Sequence, residues 1–175
     1  LNGDLKNVSS HLPSPLAKPA GEPLAVNVKV DGNLNSFELT GQAGADNHFN
    51  SRWLLGQKLT LDRAIWAADS KTLPPLPEQS GVELNMPPMN GAEWLALFQK
   101  GAAESVGGAA SFPQHITLRT PMLSLGNQQW NNLSIVSQPT ANGTLVEAQG
   151  REINATLAMR NNAPWLANIK YLYYN

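Results

Sequence analysis

The sequence predicts a mainly β fold: an elongated antiparallel meander curled into an open apolar groove, with one short amphipathic helix at about 91–100. Three observations carry this. Apolar and polar residues alternate with period two along most of the chain. Gly- and Asn-containing turns punctuate the alternation at hairpin spacing. One stretch, "MPPMNGAEWLALFQKGA" at 86–102, leaves the alternation for helical spacing.

The elements follow in order. "LAVNVKV" puts Leu24, Val26, Val28 and Val30 on one face and Asn27 and Lys29 on the other. After the turn "DGN", "SFELTG" sets Phe37 and Leu39 against Ser36, Glu38 and Thr40, the second arm of a hairpin. "HFNSRWLL" offers Phe49, Trp53 and Leu55 opposite His48, Asn50 and Arg52. "KLTLDRAIW" follows with Leu59, Leu61 and Ile65, so a second hairpin turns at "LGQ". "KTLPPLPEQ", 71–79, is a proline-rich crossover that cannot donate to a central ladder. "GVELNM" resumes alternation at Val82, Leu84 and Met86.

The helix comes next. Asn90 is a good N-cap, Glu93 is the partner of a capping box three residues on, and Gly101 suits the left-handed position past the end. Trp94, Leu97 and Phe98 share a face at i, i+3 and i+4. With the small-residue run "GAAESVGGAAS" it forms a helix and flexible Gly/Ala-rich insertion at 87–112. Strands then return: Ile116 and Leu118, Leu123 and Leu125, Leu133 and Ile135, "TLVEAQ", Ile153 with Ala155, Leu157 and Met159, and Ile169, Tyr171 and Tyr173. Gly126, Asn142-Gly143 and Gly150 mark the turns, so consecutive strands are expected as neighbours. "LNGDLKNVS" and "LGNQQWNNLSI" share a form that suits one repeated hairpin unit.

Composition narrows the function. Charged residues are 14% of 175 and the net charge is -1, which leaves no electrostatic footprint for nucleic acid. There is no cysteine, hence no disulfide, thiol catalysis or cysteine metal site. No apolar run approaches the roughly 18 residues that span a bilayer. The start at Leu1 without Met and the apolar ending "NIKYLYYN" lead us to expect an internal piece of a longer protein, a single β-groove segment over 1–175. Surface polarity drawn from Asn, Gln, Ser and Thr points outside the cytoplasm.

Chemistry-bearing patterns are sparse. His11, His48 and His115 stand far apart in no metal-ligand spacing, so no metal and no cofactor are expected. No G-x-S-x-G elbow presents a nucleophile, and "SVGGAAS" lacks the Lys of a phosphate-binding loop. Glu83 with Glu93, or Asp62 with Asp69, read better as strand-face and cap residues than as paired catalytic carboxylates. Sequons at Asn7, Asn132, Asn142 and Asn154 occur in an Asn-rich chain and carry meaning only where the glycosylation machinery exists. "HLPSPLAKP", 11–19, reads as a structural corner in which Pro13 and Pro15 hold the chain extended. The chain is not expected to be an enzyme.

What remains is apolar strand faces with little to cover them. Such a sheet must close into a barrel, pair as a sandwich or leave a groove. An apolar groove suits acyl chains, each methylene leaving water being worth about 0.8 kcal/mol without a directional partner.

"LPSPLAKPAGEPLAVNVKV", "GVELNMPPMNGAEWLALF", "ITLRTPMLSLGNQQWNNLSI" and "GREINATLAM", in that order, resemble the YhdP family over nearly the whole chain. These are large AsmA-like proteins of the Gram-negative envelope, related more distantly to TamB, and the segment corresponds to their C-terminal half. The resemblance implies a bridge-like lipid transport protein: a long curled sheet whose apolar groove spans the periplasm, anchored in the inner membrane and passing phospholipid toward the outer membrane. Phospholipid acyl chains are the implied partner, with inner-membrane anchor and outer-membrane contact supplied by parts outside this segment. The family brings no catalytic residues. Strand-face positions are therefore the groove-lining candidates: Val26, Val28, Val30, Phe37, Leu39, Trp53, Leu59, Leu61, Val82, Leu84, Ile116, Leu118, Leu133, Ile135, Ile153 and Leu157. Trp94, Leu97 and Phe98 are expected to plug or narrow the groove. The rival expectation is a structural or adhesive β-sandwich that buries all its apolar stripes.

Overall fold

The computed structural model describes residues 1–94, 110–111 and 113–174. Their thirteen strands belong to one sheet. In chain order they are β1 (Asn2–Asp4), β2 (Ala25–Gly32), β3 (Ser36–Ala43), β4 (Asn47–Leu55), β5 (Leu59–Ala67), β6 (Gly81–Asn85), β7 (Met89–Asn90), β8 (Ala110–Ser111), β9 (Ile116–Leu125), β10 (Gln128–Thr140), β11 (Gly143–Gln149), β12 (Ile153–Arg160) and β13 (Leu166–Leu172). The main path runs β1-β2-β3-β4-β5-β6-β9-β10-β11-β12-β13, with β7 beside β9 and β8 beside β5. β1 and β13 end that path without meeting, so the sheet is open, mainly β as its alternation predicts.

Both flanks are antiparallel meanders. β2 to β5 pair in sequence through the expected hairpins, and β9 to β13 do the same. At Gly126, a φ of 60° admits the tight turn between β9 and β10. The centre departs from the expected run of antiparallel neighbours: β5 pairs β6 in parallel and β6 pairs β9 in parallel. The physical reason lies in the connections. A two-residue turn reverses a strand, whereas a long crossover brings the chain back to the end it left, and 68–80 and 91–115 are both long crossovers.

β6 and β7 are one strand with a break. Val82 faces Ile116 and Met89 faces Leu123, the same register on β9, while Met86-Pro87-Pro88 interrupts the ladder between them. Proline has no amide to donate, which is why the ladder lapses there. A single helical turn follows at 91–94. Its cap forms as expected, the Ala92 amide donating to Asn90 Oδ1 at 3.1 Å. Glu93 accepts from the Asn90 side-chain amide at 3.2 Å, not from its backbone, which belongs to the β7 ladder. The remainder of the expected helix, with Leu97 and Phe98, lies outside the described residues.

The two similar phrases do not make a repeated hairpin. "LGNQQWNNLSI" is the β9–β10 turn and strand, but Gly3 of "LNGD" sits inside the edge strand β1, paired to Val26. The segment after β1 is a finger instead. Its base is closed by the Leu5 amide on the Leu24 carbonyl and its shaft by Ser10 and Lys18, so the proline corner at 13–15 forms the tip.

Among the described residues no large side chain is fully buried. A sandwich of this size would bury many. Among the described residues an apolar cluster with buried members joins Ala68, Met86 and Met89, against which Trp66, Leu84, Trp94, Leu118 and Leu123 pack.

Candidate apolar binding face

Residues directly opposite in a ladder share a face, so the registers can be followed from edge to edge. One row runs Val30, Leu39, Ser51, Ala64, Val82, and on through Ile116, Ser137, Val146, Leu157 and Ala167. A second runs Val28, Gly41, Phe49, Trp66, Leu84, then Leu118, Ile135, Ala148, Ala155 and Ile169. Each crosses ten strands without a charged side chain. The row between them, on the other face, holds Lys29, Thr40, Asn50, Glu83, Thr117, Glu147 and Thr156. The parallel centre keeps the faces in phase, which lets two antiparallel flanks share one apolar surface.

The remaining strand-face candidates sit around these rows. Val26 and Phe37 alternate with Val28 and Leu39 onto the same face. Phe37 stacks on Trp53, ring centroids 6.2 Å apart and planes nearly parallel, and a bulge at Arg52/Trp53 then puts Trp53 opposite Leu61. Leu59 is paired to Leu55 at the outer end of that hairpin, Leu133 is buried beside Gly150, and Ile153 faces Leu172 on the edge strand. Gly41 is required by packing: a Cβ there would run into the Phe49 ring laid across it. Much of the face is open, with Val30 57% and Ile169 56% exposed.

Two segments meet the middle of the sheet from opposite sides. The proline-rich one lies on the polar face and is held by its carbonyls. The Ser70 carbonyl is 2.8 Å from His48 Nδ1, Pro74 accepts from Asn50 Nδ2 at 3.3 Å, and Pro77 accepts from Arg63 at 3.3 Å. Beneath it Ile65, Ala67 and His48 are buried. The second, 86–94, puts Met86, Met89 and Trp94 on the apolar face, packed on Leu84 and Leu118. Between them is a cavity of about 260 Å³, with Leu123, Leu125 and Ile135 completing its walls. The Trp94 indole N–H donates to the Ser14 carbonyl at 3.1 Å, joining the helical turn to the tip of the finger.

Phe49, Trp66, Met86, Met89, Leu123 and Leu125 belong to this surface although the strand-face candidates omitted them. The signal was in the sequence for Met86 and Met89, an apolar pair bracketing Pro-Pro directly before a cap. For Leu123 the signal was masked, because Leu118 and Leu123 differ in alternation phase and share a face only after the break near Pro121 and the left-handed Asn132 opposite it.

Polar groups elsewhere are structural. Glu83 pairs with Arg119 at 3.2 Å and Asp62 with Arg63 at 3.2 Å, while Glu93 serves the cap. Glu152 is buried at the corner between β10 and β12, and its carboxylate accepts from the Asn131 amide at 2.6 Å and Asn131 Nδ2 at 2.9 Å. The Asn131 backbone bond first, and its side-chain amide second, hold this carboxyl below the usual glutamate range. Among the described residues no group of His, Asp or Glu could hold a metal ion, and no helix is long and apolar enough to cross a membrane.

A family model described as "YhdP protein" matches residues 1–175. No solved structure matches the chain.

Proposed function

The chain belongs to the YhdP family, and we propose that it is a segment of a periplasm-spanning, bridge-like protein that carries phospholipid between the inner and outer membranes. In this reading the uncharged face is the path: acyl chains lie across the strands on it while head groups stay in water. The wider role is outer-membrane lipid homeostasis and barrier function, in a parent protein anchored in the inner membrane. The chain performs no catalysis. Flux takes its direction from a gradient or a partner, because a uniformly apolar surface has no sign.

The observation that supports this best is the pair of uncharged rows crossing ten strands, with no second sheet over them among the described residues. A soluble monomer rarely leaves a contiguous apolar surface of that kind open. Methylenes gain about 0.8 kcal/mol each on leaving water for such a face.

The reading is tested by placing a photo-reactive residue at Val28 or Leu157, on the apolar face, and at Asn27 or Asn154, on the polar one. Lipid crosslinks to the first pair and not to the second. Equal labelling of both faces defeats the path.

A further inference from the structure

We infer that the cavity under Trp94 is a discrete seat for the end of one hydrocarbon chain, with the indole as its roof and the Ser14 carbonyl as the catch that holds the roof down. The inference rests on the lipid reading of the apolar face and deepens it: the path contains a resting site at its centre.

Three features of the cavity specify the occupant. Its walls are side chains of Leu, Met and Ile, with Gly91 and the Trp94 ring, and the one polar atom of that ring is engaged by Ser14 at 3.1 Å. A polar ligand would find nothing to replace its water, at a cost of several kcal/mol per unsatisfied group. Volume sets the second limit. At roughly 30 Å³ per water-sized group, about 260 Å³ holds a chain end on the order of eight heavy atoms, too little for two acyl tails together. Third, Met86 and Met89 form the floor next to the roof, and unbranched thioether side chains adapt to occupants of varied length and bend. The cavity is continuous with the row Trp66, Leu84, Leu118 and Ile135, so a chain lying across the strands reaches it without crossing polar surface.

The catch gives the site a release. The finger is joined to the sheet at its base, and its tip meets the helical turn through Trp94 and Ser14, residues 80 apart in sequence. That bond can open without breaking a ladder.

The absence of cysteine makes a direct test available. Leu123→Cys puts a single thiol in the cavity wall, Val28→Cys one on the open apolar face, and Asn27→Cys one on the polar face. Maleimide alkylation rates are measured with and without sub-micellar dodecanoate, and again with vesicles of phosphatidylethanolamine and phosphatidylglycerol. Dodecanoate is expected to slow alkylation at Leu123→Cys several-fold, saturating at one chain per protein, and to leave Asn27→Cys unchanged. Adding Trp94→Ala, which removes the roof, or Ile135→Trp, which fills the cavity from the far wall, abolishes that protection. Each variant is checked for strand content by circular dichroism, and the Leu123→Cys result stands alone where a variant fails to fold. No protection at Leu123→Cys, or protection indifferent to a folded Trp94→Ala, overturns the seat. Vesicle protection at Val28→Cys with none at Leu123→Cys overturns the seat and leaves the lipid path standing. Protection at Leu123→Cys with none at Val28→Cys keeps the seat and removes the path.

Discussion

Two segments meet the middle of the same sheet, 68–80 on one face and 86–94 on the other, and they lay different chemistry against it. Residues 68–80 are held to the polar face by directional bonds from His48, Asn50 and Arg63 to carbonyls of the loop. Residues 86–94 keep directional bonds of their own, from the β7 ladder, from Thr120 Oγ1 to the Pro87 carbonyl and from Ser124 Oγ to the Met89 carbonyl, but what they lay on the apolar face is Met and Trp, and the Trp94 to Ser14 bond ties them to the finger. Proline suits the first role because it removes amides while leaving every carbonyl free to accept. Methionine suits the second because its packing tolerates displacement. The lesson is that the polar side is built to keep one geometry and the apolar side to accommodate a change in what lies against it.

That contrast can be broken at either attachment. The largest effect is expected from Met89→Ala, which empties part of the buried Ala68, Met86 and Met89 cluster: about 2–5 kcal/mol of unfolding free energy is lost, read by urea denaturation. If apolar packing is the adaptable side, this variant loses stability but not its lipid crosslink at Val28. A smaller loss, about 1–3 kcal/mol, is expected from His48→Ala, which removes a buried ring and leaves the half-buried Ser70 carbonyl without its partner. Here the proline crossover loosens as a unit, so amide exchange rises at Val82 and Ala68, which it connects. Smallest is Trp94→Phe, which keeps an aromatic body and deletes the indole N–H, for about 0.5–1.5 kcal/mol. Proteolysis of the finger at 11–18 is expected to quicken in that variant while the sheet resists. An unchanged digestion rate would mean that the catch holds nothing.

Most of the fold was legible because alternation survives wherever one face is apolar. Val26, Val28 and Val30, or Phe37 and Leu39, declare their strand and their face without help. Strand polarity was not legible at the centre. "GVELNM" reads the same whether it pairs parallel or antiparallel, and only the length of the proline-rich connection before it hints at the answer. The apolar rows could be listed as stripes but not joined, since joining them needs the registers of nine ladders. Leu123 went astray for a local reason, a lapse of phase at Pro121, and the exchange between Trp94 and Ser14 is a long-range contact that no spacing encodes.

β6 is five residues long, flanked by the longer β5 and β9, and it alone joins the two halves of the main path. A pull applied between β2 and β13 would load the ladders in series, and those of β6, the shortest among them, would tear first. Met86, Met89 and Trp94 pack across that seam, against Trp66 on β5, Leu84 on β6 and Leu118 on β9. Seen as a mechanical part, this cluster is a splint: it shares tension that the seam's few hydrogen bonds would otherwise bear alone.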